Sequence, residues 1–338
     1  MDDSSDSNER DHREGSWLRR RRGTARHLRD AGRERGEPTA EQQLAGEQLR
    51  QPPSGPSTPT AIWTDSHCHL QDDPDPVATL AQARAARVGR VVCVGTDAAS
   101  SRQAVILANQ LSGTGSQAPS GGPEPTGVRR GVDVWATIGL HPHDARVGLD
   151  SVTELIDELS AADGLRRSRV VAIGECGLDY HYDNSPREVQ RDVFAAQVAL
   201  ANRHDLALVI HTREAWEDTF SILENEGVPR RTVFHCFTGG ESEARRCLRV
   251  GAFISFSGIV TFANAEELRQ VAVHCPLDCL LIETDSPFLT PVPNRGRRNS
   301  PSNVAVVGNT IGKLKGFEPE VLAAVSWMNA EKAFELGA

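Results

Sequence analysis

From residue 61 onward the chain alternates short apolar runs with longer segments whose apolar positions recur every three or four residues. The runs cover 61–64, 90–94, 133–138, 170–173, 206–210, 232–234, 252–256 and 279–282. Each is rich in β-branched residues or nearly continuous in apolar ones, the pattern of a strand covered on both faces. Between them the periodicity predicts helices over 76–87, 99–111, 151–162, 186–203, 214–226, 240–250 and 264–274. A closing helical region over 302–336 should break near Gly316. Eight strands alternating with helices predict a parallel α/β fold, and eight strands close a barrel, the (β/α)8 or TIM barrel.

Two segments depart from this rhythm. Residues 112–127 (SGTGSQAPSGGPEPTG) are rich in Gly, Ser and Pro and predict a flexible surface insertion within one domain. Residues 1–60 are polar and end in a PPSGPSTP stretch, so a disordered extension is expected ahead of a barrel at 61–338. The extension holds a basic cluster from Arg19 to Arg29, flanked by acids and read as a solvated tail rather than a polyanion-binding arm. It carries eleven arginines and eleven acids, so the net charge of −9 falls wholly on residues 61–338. An acidic body argues against broad, nonspecific nucleic-acid binding, but not against a local basic site. Seven cysteines, an odd number without a CxxC pair, read as reduced thiols of the cytosol. The acidic start MDDSSDSNERD has no apolar core, so a cytoplasmic protein is expected. No run of 18 apolar residues occurs, so no membrane span is expected. Oligomeric state is left open, a monomer included.

The chemistry gathers at the strand ends. His67 and His69 flank Cys68 after the first apolar run, and strand alternation turns both imidazoles the same way and Cys68 the other. Glu175, His211, His235 and Asp285 each follow an apolar run, at the C-terminal ends of strands where barrel enzymes place their active sites. The steps between them are 36, 24 and 50 residues, which correspond to one, one and two βα units. A single histidine at a strand end is ordinarily a satisfied polar group; six such residues in register are not easily coincidental. Four histidines and two carboxylates exceed the needs of one tetrahedral zinc. They suit two divalent ions about 3.5–4 Å apart with a carboxylate between them.

The motifs DSHCHL (65–70), IGLHPH (138–143), GECGLDY (174–180), VIHTREA (209–215), HCFTG (235–239), ETDSPFLTP (283–291) and NRGRRNSP (294–301) stand in this order. With these motifs, and with Asn329–Phe334 at the end, residues 61–338 resemble the TatD-related metal-dependent deoxyribonucleases. The resemblance implies that His67, His69, Glu175 and Asp285 hold one ion. Glu175 would then bridge to a second, completed by His211 and His235. It also implies hydrolysis of phosphodiester bonds in DNA by activated water, with Glu175 and Asp285 as the catalytic carboxylates and Asp285 as general base. The metals expected are zinc, magnesium or manganese. Cys176 stands where the family usually has an aliphatic residue, which touches no implied ligand.

His143, Arg213 and Arg295 are candidate substrate contacts, and Arg297 and Arg298 either join them or form an exposed basic loop. His141 reads either as a substrate contact or as loop packing. Asp179 and Glu283 read as groups that orient the histidines or the loop backbone. Two other readings stand beside the nuclease: an amidohydrolase-type enzyme acting on a C–N or ester bond, and a non-catalytic metal-binding barrel. Amidohydrolase barrels often bridge their metals with a modified lysine. The three lysines here, Lys313, Lys315 and Lys332, all lie near the C-terminus, far from these motifs.

Overall fold

The computed structural model describes residues 62–112 and 131–336. The expected extension at 1–60 and all but the first residue of the expected insertion at 112–127 lie outside the described residues. Eight parallel strands form one sheet in sequence order: β1 (Trp63–Cys68), β2 (Val88–Val94), β3 (Asp133–Ile138), β4 (Val170–Asp179), β5 (Ala207–Arg213), β6 (Thr232–Phe234), β7 (Phe253–Phe256) and β8 (Leu280–Ile282). Seven helices connect them: α1 (Pro76–Ala85), α2 (Ala98–Leu111), α3 (Asp150–Ala162), α4 (Arg187–His204), α5 (Trp216–Glu226), α6 (Glu241–Arg249) and α7 (Glu266–His274). The closing region is α8 (Val304–Lys315) and α9 (Pro319–Phe334). Gly316 separates them in the left-handed conformation (φ 74°), which glycine adopts without strain.

The barrel closes through side chains as much as through backbone. Past the end of β8, the Asp285 amide donates to the His67 carbonyl (2.9 Å) and the His69 amide to the Ser286 carbonyl (2.7 Å). Buried Asp65 accepts from both the amide (2.9 Å) and the hydroxyl (2.6 Å) of Thr284. Ser66 Oγ donates to the Ile282 carbonyl at 3.0 Å. The residues that carry the site's chemistry on β1 and after β8 are thereby fixed to one another.

Alternation sorts the strand side chains into two cores. Val91, Cys93, Leu208, Ile210, Phe234 and Ile282 pack with the helices in the larger one. Val92, Val94, Ala207, Val209, Val233 and Leu281 form a second with Ala330, Ala333 and Phe334 of α9. Residues two apart share a face, so His211 continues the column of Ala207 and Val209, and His235 continues that of Val233. The imidazoles stand on top of the inner column, at the end opposite α9.

Three strands run past the C-terminal ends of their predicted apolar runs. β1 extends through His67, β5 through Arg213, and β4 through Asp179, which leaves Glu175 inside its strand rather than at the end. The physical reason is mutual support. Gly177 pairs with His211 and Asp179 with Arg213, so polar segments stay extended because their neighbours do. Gly174 and Gly177 flank Glu175, with φ of 130° and 136°. A Cβ at Gly177 would lie 2.0 Å from the His211 carbonyl oxygen, and one at Gly174 2.4 Å from that of Val209. Only glycine lets β4 press this closely on β5.

Candidate metal centre

Glu175 is buried at the middle of a cluster of imidazoles. Its Oε2 lies 3.3 Å from His67 Nε2 and 3.8 Å from His69 Nε2. Its Oε1 lies 2.8 Å from His235 Nε2, 3.1 Å from His211 Nδ1 and 3.3 Å from His141 Nε2. Asp285 Oδ1 completes the first side, 3.3 Å from His69 and 3.6 Å from His67. The rings form a continuous file: His67 stacks on His235 (centroids 3.9 Å, 11°), and His211, His141 and His143 follow at 5.6, 4.8 and 4.3 Å. All six residues named for the ions from the sequence are brought together, and His141 joins them.

The far nitrogen of three rings is tied to an acceptor. His69 Nδ1 meets the Val94 carbonyl (3.1 Å), His235 Nδ1 meets Glu283 Oε1 (3.3 Å), and His211 Nε2 meets Asp179 Oδ2 (3.3 Å). A ring that donates on that side turns a lone pair toward Glu175, the arrangement by which proteins orient metal-binding histidines. Nδ1 of fully buried His67 and Oε2 of buried Glu283 have no hydrogen-bond partner. Buried polar atoms are rarely left in that state unless another group satisfies them. A divalent cation held among these imidazoles and carboxylates fits this donor set. By distance three groups could hold a metal: His67, His69 and Asp285; His67, His235 and Glu283; and His141, Glu175 and His211. His141, however, accepts the His143 amide on Nδ1 (3.2 Å), so its neutral ring carries the hydrogen on Nε2 and donates to Glu175.

The charges follow from this packing. Burial opposes ionisation of Glu175, but the surrounding histidines, His235 foremost, hold its carboxyl well below the usual carboxylate range. Burial likewise works against a protonated His69, but Asp285 and Glu175 outweigh it and lift the ring to about 9. His211 and His235 are raised against their own burial, by Asp179 with Glu175 and by Glu175 with Glu283. His141 goes the other way: burial holds it at about 4, so the ring is neutral.

Asp179 and Glu283 occupy the orienting positions expected of them. Besides His211, Asp179 takes His143 Nε2 (2.9 Å) and the amides of His181 and Tyr182 (both 2.9 Å). Glu283 takes the Cys236 amide at 2.7 Å. Of the candidate substrate contacts, Arg213 lies over the Tyr182 ring (4.7 Å) at the end of β5. Arg295, on the loop that follows Asp285, lies over Phe262 (4.2 Å). Arg298 donates to the Asp72 carbonyl (2.6 Å). Cys68 turns away from the histidines, toward the Val92 carbonyl (3.5 Å). In the sequence His141 reads equally as loop packing; the HPH triplet, in which Pro142 sets a turn that brings the two rings edge to face, is the signal that marks it.

The model of the family described as "TatD related DNase" matches residues 64–335. The chain belongs to this family. The TatD-family fold is shared with a solved TatD homolog, YJJV of Escherichia coli K12, at TM-score 0.70 and 28% identity over 81% of this chain and 98% of that one. The metal-dependent hydrolase YabD of Bacillus subtilis, itself described as uncharacterized, is 39% identical over 80% of this chain and 98% of its own length. A Pectobacterium carotovorum relative named "3'-5' ssDNA/RNA exonuclease TatD" is 33% identical over 79% of this chain and 95% of that protein. This TatD-family chain is accordingly a metal-dependent hydrolase. Among the described residues, no helix is long and apolar enough to cross a membrane.

Proposed function

We propose that the chain hydrolyses phosphodiester bonds in DNA at a centre of two divalent cations. His67, His69, Glu175 and Asp285 would hold one ion, and Glu175, His211 and His235 the other. The observation that carries this reading is Glu175, whose Oε2 faces His67 and His69 and whose Oε1 faces His211, His235 and His141, all within 3.8 Å. Divalent ions bound there supply Lewis-acid charge, which lowers the pKa of water and offsets charge on the phosphoryl oxygens.

The chain's own residues do the rest. Asp285 is 14% exposed, against 5% for Glu175 and 0% for Asp179 and Glu283, so it is the carboxylate that reaches water. It accepts the proton of the attacking water as general base. Asp179 and Glu283 fix the rings of His211 and His235, and His141 holds Glu175 through its Nε2 hydrogen. His143 and Arg213 stand at the mouth, where they would meet the substrate phosphate.

The amidohydrolase reading is disfavoured because no lysine reaches the centre. Lys315 is bound to the carbonyls of Val273 and Cys275 (both 2.7 Å), and Lys332 is on α9 at the opposite end. The test compares single-stranded DNA, nicked duplex, RNA and a small phosphodiester as substrates, each with zinc, magnesium or manganese. Chelation should abolish turnover, as should His67→Ala, Glu175→Ala, His211→Ala or Asp285→Ala with the fold intact by circular dichroism. Full DNA hydrolysis by the chelated protein would refute the proposal.

A further inference from the structure

The loop that follows Asp285 carries features that the metal centre does not use. Phe288, three residues on, is 43% exposed, the one aromatic among the large hydrophobic side chains exposed in the described residues. Its ring lies 6.2 Å from the His69 ring, at the end of the imidazole file. Arg295, Arg297 and Arg298 are exposed on the same loop, in a body whose charge is otherwise acidic. An exposed aromatic on a loop that also carries exposed arginines, beside the candidate metal centre, is the composition of a surface that grips unpaired nucleic acid.

The loop is also held firmly. The Phe288 amide donates to the Asp285 carbonyl (2.9 Å), and Asn299 Nδ2 bonds the carbonyls of Thr284 (2.9 Å) and Phe288 (2.6 Å). The Asn299 amide returns to the Pro287 carbonyl (3.1 Å), and Thr290 Oγ1 donates to the Arg297 carbonyl (2.6 Å). The loop thus spends its hydrogen bonds on fixing an apolar ring in contact with water. A side chain ordered before binding loses little freedom on binding.

We propose that Phe288 stacks on a base of an unpaired DNA strand while Arg295 and Arg297 meet the adjoining phosphates, so that this loop selects single strands for the centre. The inference rests on the nuclease reading above and names the part of the substrate that the metal centre itself does not touch. Bases inside a duplex have no free face to offer, so duplex DNA gains nothing from the ring.

The test pairs removal of the ring with removal of the base. Oligothymidylate and an oligomer of the same length with abasic tetrahydrofuran residues present the same phosphates. The wild-type protein should show a KM about 10- to 100-fold lower for oligothymidylate, and Phe288→Ala should close most of that gap. Phe288→Trp should restore it, which a merely structural role would not predict. Arg295→Gln and Arg297→Gln should each lower the slope of log affinity against log salt by about 0.7. Equal wild-type KM values for the two oligomers would overturn the inference and leave the nuclease reading standing. If neither oligomer is cleaved, the nuclease reading fails; fluorescence anisotropy with labelled oligomers still decides the loop, since equal binding refutes it without any need for turnover.

Discussion

Loading the metal-free protein with a divalent cation should release protons, and the structure says from where. A histidine binds metal only through a deprotonated nitrogen. In the metal-free chain, His69 Nε2 faces Asp285 at 3.3 Å and Glu175 at 3.8 Å, and these carboxylates raise its pKa from 6.5 to about 9. At pH 7 the ring is protonated, and freeing its nitrogen costs about 3 kcal/mol, roughly two pKa units. Near pH 9 that cost is gone. His211 and His235 are raised as well, so they add protons in the same direction. His141, held at about 4 by burial, has none to give.

Isothermal titration calorimetry with zinc or manganese, repeated in buffers of different ionisation enthalpy, counts the protons directly. Between about one and three should leave per chain at pH 7, and apparent affinity should rise about tenfold per pH unit for each. His69→Gln should lower the count by about one, and His141→Ala should leave it unchanged. The metal-free protein should show the mirror image in its stability. The raised His69 pKa contributes stability that is fully present below pH 6.5 and is lost as pH rises through about 9, so Tm should fall across that interval. Stoichiometric binding with no proton release at pH 7 would refute the assignment of His69 as a ligand held between those carboxylates.

Three further outcomes follow from particular contacts. Asp179→Asn weakens the acceptor shared by His143 and His211 and should cost about 10- to 100-fold in metal affinity or kcat at unchanged Tm, measured by chelator competition and steady-state kinetics. Gly177→Ala sets a Cβ against the His211 carbonyl at a φ of 136° and should destabilise by about 3 kcal/mol in urea unfolding, with loss of metal. Glu335→Ala removes the partner that Arg166, Arg230 and buried Arg231 share beneath the barrel; about 2 kcal/mol should be lost, with metal affinity unaffected because the site lies at the other end.

The architecture was legible because parallel strands covered on both faces leave unbroken apolar runs, and every helix falls within a few residues of its periodic segment. Gly316 marks the break between α8 and α9 where a left-handed residue was needed. Strand ends were less legible. An apolar run stops where side chains turn polar, but β4 and β5 go on pairing to Asp179 and Arg213 because each supplies the other's hydrogen bonds. The apolar run therefore ends before Glu175, while the strand passes through it.

What the sequence could not supply was approach across the barrel mouth. His141 and Glu175 belong to different strands' segments, 34 residues apart, and only the register of β3 on β4 brings them to 3.3 Å. Phe288 likewise reads as a plain apolar residue until the turn after Asp285 is seen to hold it at the surface. The six candidate ligands were legible because each sits where a strand delivers it, and strand position is written in local periodicity. The groups that tune those ligands arrive through tertiary contact. His143 and His211 share Asp179, and His69 depends on the Val94 carbonyl of the neighbouring strand. A variant in this second set should change the tautomer, pKa or metal affinity of a histidine it touches before it changes the fold. That ordering separates residues that tune the centre from residues that build the barrel.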